Sequence, residues 1–79
     1  MVTVRYFAGA RAAAGVAAEQ VPADTLTDLL ATLEGQHGPG LSKVLGACSF
    51  LVDGLAAHDR TVALRPGATV DVLPPFAGG

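Results

Sequence analysis

The chain is poor in the residues that carry most protein chemistry. It has a single cysteine, Cys48, and a single lysine, Lys43. One cysteine closes no internal disulfide and holds no metal cluster alone, which suits a reducing, cytoplasmic setting. It also excludes a plant-type iron–sulfur ferredoxin, which needs four. Charged residues make up only 15% of the chain, and the net charge of −2 gives no basic footprint for nucleic acid. No apolar run approaches the roughly 20 residues of a membrane span, so no membrane contact is expected. The opening Met1-Val2-Thr3-Val4-Arg5 alternates like a strand, so no signal peptide is expected either.

What is present is apolar and short. A chain of 79 residues that is 51% hydrophobic reads as one small globular domain. A domain of this size buries a limited share of its surface and needs a well-packed core.

Residues 2–7 alternate as a half-buried strand. Val2, Val4 and Tyr6 point inward, and Thr3, Arg5 and Phe7 point outward. Ala8 to Gly15 has the composition of a short helical turn. Ala17 to Val21 reads as a second strand, stopped by Pro22 and neighbouring the first. The clearest element is a helix from Thr25 to Gln36. Leu26, Leu29, Leu30 and Leu33 form one apolar stripe at i, i+3, i+4 and i+7. Asp24 or Thr25 caps its start, Asp28 suits the positive dipole end, and Gly38-Pro39-Gly40 stops it. Leu41, Val44 and Leu45 suggest a further helical piece.

Asp53-Gly54 between Cys48–Val52 and Leu55–Ala57 is a two-residue hairpin signal, because the favoured turn needs positive φ at both positions. Arg65-Pro66-Gly67-Ala68 marks a second turn. Thr69 to Leu73 forms the last strand, with Val70 and Val72 inward and Asp71 outward. One helix and several strands pack economically as a two-layer α+β domain, a mixed β-sheet laid on one main α-helix. The first and last strands are expected side by side.

The ending Pro74-Pro75-Phe76-Ala77-Gly78-Gly79 carries the chemistry. Glycine lacks a Cβ, so Gly78 and Gly79 make a thread that enters channels closed to other residues. Pro74 and Pro75 fix φ and stiffen its stem. Phe76 is an aromatic anchor for a partner pocket or packs back on its own domain. The layout is a two-layer body, residues 1–75, and a flexible Gly-Gly tail, residues 76–79.

No internal catalytic set is apparent. His37 suits the negative end of the helix, and His58 sits in a polar turn with Asp59 and Arg60. The two lack ligand spacing, so no metal is expected. Cys48 opens an apolar strand, where a buried, inert thiol is the expected state.

The Tyr6-Phe7-Ala8 strand end followed by Arg11, the amphipathic helix, the central hairpin and the closing Pro-Pro-Phe-Ala-Gly-Gly together resemble the MoaD/ThiS family of ubiquitin-like β-grasp sulfur carriers, most closely its MoaD branch. The resemblance spans essentially the whole chain. Three positions depart from the usual pattern: Ala12, Ala68 and Asp53 stand where the family often has an acidic residue, an aspartate and an asparagine.

The resemblance implies a carrier that is not itself an enzyme and holds no cofactor. An E1-like, MoeB-like adenylating enzyme would spend ATP to couple AMP to the Gly79 carboxylate. A persulfide donor would then displace AMP and leave a thiocarboxylate. The tail, Phe76, Ala77, Gly78 and Gly79, would thread into a MoaE-like large subunit of molybdopterin synthase and give its sulfur to a cyclic pyranopterin phosphate. Phe7 and Arg11 would form a docking patch for the partner. The alternatives are a carrier for thiazole or cysteine synthesis, a ubiquitin-like protein modifier, and an interaction domain whose diglycine is incidental.

Overall fold

The computed structural model describes residues 1–75. Five strands and three helices follow one another along the chain. They are β1 (Val2–Tyr6), α1 (Ala8–Ala14), β2 (Ala18–Val21), α2 (Leu26–His37), α3 (Pro39–Leu45), β3 (Ser49–Val52), β4 (Leu55–Ala56) and β5 (Thr69–Leu73). The strands form one mixed sheet in the order β2-β1-β5-β3-β4. β1 and β5 are parallel neighbours at its centre, with Val4 opposite Val70 and Tyr6 opposite Val72. The other pairings are antiparallel. The fold is the mixed sheet on a main helix that the pattern of residues called for.

The core lies between one face of the sheet and the helices. Leu26, Leu29, Leu30 and Leu33 of α2 and Leu41 and Leu45 of α3 are buried against Val2, Val4, Tyr6, Phe50, Val70 and Val72. Each such side chain contributes about 1.5–3 kcal/mol when it leaves water, so the leucine stripe is the largest single source of stability in α2. The helix begins as its sequence indicates: the Thr25 hydroxyl accepts from Asp28 N–H at 3.1 Å. Both hairpin residues have positive φ, 50° at Asp53 and 84° at Gly54. The second turn closes with Ala68 N–H donating to Arg65 C=O at 3.0 Å, with Gly67 at φ 84°.

Several elements differ from their sequence reading. The Ala8–Gly15 turn is a seven-residue helix, ended by Gly15 at φ 81°. Phe7 is not the last strand residue but the residue before α1, still extended at φ −122° and ψ 149°. Gly38 does end α2, and the further helical piece expected at Leu41, Val44 and Leu45 is α3, which begins earlier, at Pro39. Proline suits the first turn of a helix, where its missing N–H costs nothing. Cys48 precedes β3 and does not open it. Asp71 does face away from the helices, but it is buried, for a reason given below.

Candidate functional site

The site is built where β5 ends. Parallel pairing brings the end of β1 beside the end of β5, and Phe7 N–H donates to Val72 C=O at 3.2 Å. On the other side of β5, Leu73 lies opposite Ser49. The stem, Pro74 and Pro75, therefore leaves the sheet between the start of α1 and the start of β3. Phe76, Ala77, Gly78 and Gly79 lie outside the described residues.

The two patch residues are brought together. The Phe7 carbonyl accepts from the N–H groups of Ala10 and Arg11, at 3.0 and 3.4 Å, so one turn of α1 fixes their spacing. Phe7 is 39% exposed, a high value for an aromatic of a small domain. Phe7 and Arg11 line a shallow groove of about 330 Å³ together with Arg5, Ala8 and Ala17. Ala8, between them, has φ 48°, a left-handed conformation that alanine seldom adopts.

Arg5 ties this patch to the strand that carries the tail. Its guanidinium forks Asp71 on β5, with Nε and Nη2 donating at 2.6 and 2.9 Å. The same group lies over the Phe7 ring at 5.9 Å. Asp71 is only 7% exposed because the arginine covers it. The bond to Asp71 and its charge raise the Arg5 pKa, so the guanidinium stays protonated at every working pH.

A second cluster had no sequence signal. Glu19 on β2 pairs opposite Val4 and so projects to the helix side of the sheet. There its Oε2 accepts from the Tyr6 hydroxyl at 2.6 Å and meets His37 Nε2 at 2.6 Å. The Tyr6 and His37 rings meet edge to face, with centroids 6.1 Å apart. Burial, and then the bond to Glu19, raise the Tyr6 pKa far above the usual phenol value. His37 is thus more than a helix-end residue. An inward charge on an edge strand is one way of guarding that edge against unwanted pairing.

The remaining candidates are placed as their sequence context suggested. Cys48 is buried, and its thiol donates to Val44 C=O at 3.1 Å. Burial pushes its pKa up, against a smaller opposing effect of Arg60. His58 is exposed. Among the described residues no group of three or more His, Cys, Asp or Glu is arranged to hold a metal ion. No helix among them is long and apolar enough to cross a membrane.

The layout recurs in solved structures. Small archaeal modifier protein 1 from Methanosarcina acetivorans superposes with a TM-score of 0.86 at 24% identity, covering 99% of this chain and 95% of its own, a likeness of fold. Small archaeal modifier protein 1 from Haloferax volcanii matches with a TM-score of 0.78 and 30% identity, over 99% of this chain and 98% of the other. A chain from the complex of subunits 1 and 2 of molybdopterin-converting factor from Helicobacter pylori matches with a TM-score of 0.76 and 28% identity, over 99% and 97%. Among curated proteins none matches the chain. The ThiS family model matches residues 4–79, a span that runs from β1 through the stem to the diglycine. A family match of that extent, on a β-grasp sheet shared with these structures, means that the chain belongs to the ThiS family of ubiquitin-like sulfur carriers.

Proposed function

We propose that this carrier is the small subunit of a molybdopterin synthase, and that Gly79 is the residue that carries sulfur. The observation behind this reading is the position of the stem. Pro74-Pro75 leaves the sheet beside the exposed Phe7 and Arg11, so a partner that takes the tail meets that patch at the same time. The likeness to subunit 1 of the Helicobacter pylori factor, which is found in complex with its subunit 2, supports a large-subunit partner for this chain as well.

The chemistry follows from the carboxylate. Attack on a free carboxylate would have to expel oxide. Coupling to AMP, with ATP spent by a separate E1-like enzyme, gives a mixed anhydride whose leaving group is AMP. A persulfide sulfur displaces it, and reduction of the remaining sulfur–sulfur bond by a thiol leaves the Gly79 thiocarboxylate. Phe76 and Ala77 follow the stem into the partner, and Gly78 lets backbone pass close to the reacting carbon. The thiocarboxylate then gives its sulfur to the pterin precursor on the large subunit. Carried covalently, the sulfur is never released as sulfide.

A second reading, a protein modifier joined through Gly79 to lysines of its targets, is favoured by the 30% identity to the Haloferax volcanii modifier. Both readings use the same activated carboxyl group. Incubation with ATP, the host's E1-like enzyme and a persulfide donor, followed by top-down mass spectrometry, tests them. Exchange of oxygen for sulfur adds about 16 Da, the same nominal shift as oxidation of Met1 or Cys48, so fragments must localise it. A shift confined to Gly79, with sulfur then passed to the pterin precursor when the large subunit is added, is the expected outcome. Lysine adducts without sulfur transfer would replace it with the modifier reading.

A further inference from the structure

Apart from the Phe7–Arg11 patch, one groove opens beside the stem. It holds about 280 Å³ and is lined by Cys48, Ser49, Phe50, Leu51, His58 and Arg60, among others. One of these residues, Ser49, pairs with Leu73 at the root of the stem. Arg60 lines it as well, and that arginine is anchored twice.

The Arg60 backbone is pinned to the first turn of α2. Its carbonyl accepts from Thr27 N–H at 2.8 Å and from the Thr27 hydroxyl at 2.7 Å. Its guanidinium lies over the Phe50 ring at 5.4 Å, and Phe50 is itself fixed in the core. Arg60, like Arg11, has no carboxylate partner among the described residues, where Arg5 and Arg65 each have one. The adjacent Asp59 is turned to Thr61, whose N–H and hydroxyl donate to it at 2.8 and 2.7 Å. Those bonds hold the Asp59 carboxyl below the usual carboxylate range. Stacking occupies one face of a guanidinium and leaves its edge donors directed outward in the fork that fits a carboxylate. An arginine held in place at both ends loses little freedom on binding, which is what makes an interfacial arginine strong.

We propose that this groove is a second docking site for the protein that accepts the tail, filled by an acidic segment of that partner. An aspartate or glutamate of the segment pairs with Arg60, and an apolar neighbour lies beside Leu51. The assignment rests on the carrier reading, because it is the tail that brings a partner to Ser49. With the Phe7 and Arg11 patch on the other side of β5, the partner grips the stem from both flanks.

The test compares wild type, Arg60→Gln and Arg60→Lys by titration calorimetry against the host's adenylating enzyme and its synthase large subunit. Thermal melts of the three proteins control for folding. A loss of about 10- to 100-fold in affinity for the large subunit is expected for Arg60→Gln. Only partial recovery is expected for Arg60→Lys, which keeps the charge and loses the fork. Equal affinity of all three for the large subunit, within twofold, would overturn the proposal, even if binding to the adenylating enzyme changes. A separate NMR titration with the blocked peptide acetyl-Leu-Glu-Leu-amide should shift the Phe50, His58 and Arg60 amides in wild type and not in Arg60→Gln. Such peptide binding by a chain that never gains sulfur at Gly79 would sink the carrier reading and leave the carboxylate site standing. Normal sulfur loading with no dependence of binding on Arg60 would do the reverse.

Discussion

The two faces of the sheet are built from the same strands by different chemistry. On the covered face Val2, Val4, Tyr6, Phe50, Val70 and Val72 are all under 5% exposed, because helices lie over them. On the open face no helix lies over Thr3, Arg5 and Asp71. Asp71 is nevertheless buried, shielded by one arginine side chain from the neighbouring strand. Three consecutive residues of β5, Val70, Asp71 and Val72, thus leave water for two unrelated reasons. Burial on the covered face is a property of the layer, shared by many residues and redundant. Burial on the open face is a property of a pair, and it fails when either member is removed.

That contrast can be broken in three ways. The largest effect belongs to the covered face. Leu33→Ala removes a fully buried side chain from the α2 stripe and should cost about 2–5 kcal/mol, read as a lower urea midpoint with unchanged slope. A cost under 1 kcal/mol would mean that the helix layer collapses to fill the hole.

Next comes Tyr6, whose ring belongs to the covered face and whose hydroxyl reaches Glu19 at the edge. An ordinary phenol titrates near pH 10. Burial, then the Glu19 bond, raise Tyr6 above that value, so the folded state favours the neutral form. Its contribution is complete below about pH 10 and is lost as pH rises toward the folded value. One proton gives a fall of about 1.4 kcal/mol per pH unit over that window. Denaturation series from pH 8 to 12 should show this decline in wild type and a flatter profile in Tyr6→Phe.

The smallest net effect belongs to the open face. Arg5→Leu alone should lower the melting temperature, since it strips the cover from Asp71. Arg5→Leu combined with Asp71→Leu should melt close to wild type, because apolar replacement of a covered ion pair is often neutral. If the double variant melts below the single one, the pair contributes more than mutual shielding.

How far each feature could be read in advance depended on the distance between its parts. The α2 stripe, the Thr25 cap and the Asp53-Gly54 turn are local, and each is complete within a few adjacent residues. The Gly38-Pro39-Gly40 stop was read correctly for the helix it ends. The helix that follows is legible in Leu41, Val44 and Leu45, but not its start at Pro39, because proline both ends and opens helices. Arg5 and Asp71 lie 66 positions apart in sequence, and only the parallel pairing of β1 with β5 joins them. The Tyr6, Glu19 and His37 cluster needs the β1–β2 register and the end of α2 at once. In the site, Phe7 and Arg11 were legible as a motif. Arg60 was passed over as part of a polar turn, since nothing local marks an arginine whose anchors are Thr27 and Phe50.

The burial of Cys48 has a practical side. The thiolate is the reactive form of cysteine, and this thiol is only 9% exposed, bonded to Val44 and shifted toward the protonated state. The sequence holds no second cysteine. A sulfur-directed dye added to the native protein therefore meets a surface with almost nothing to alkylate. Label beyond the slow reaction of Cys48 reports sulfur that the chain has acquired, so the fold supplies a low background against which loading can be counted in real time.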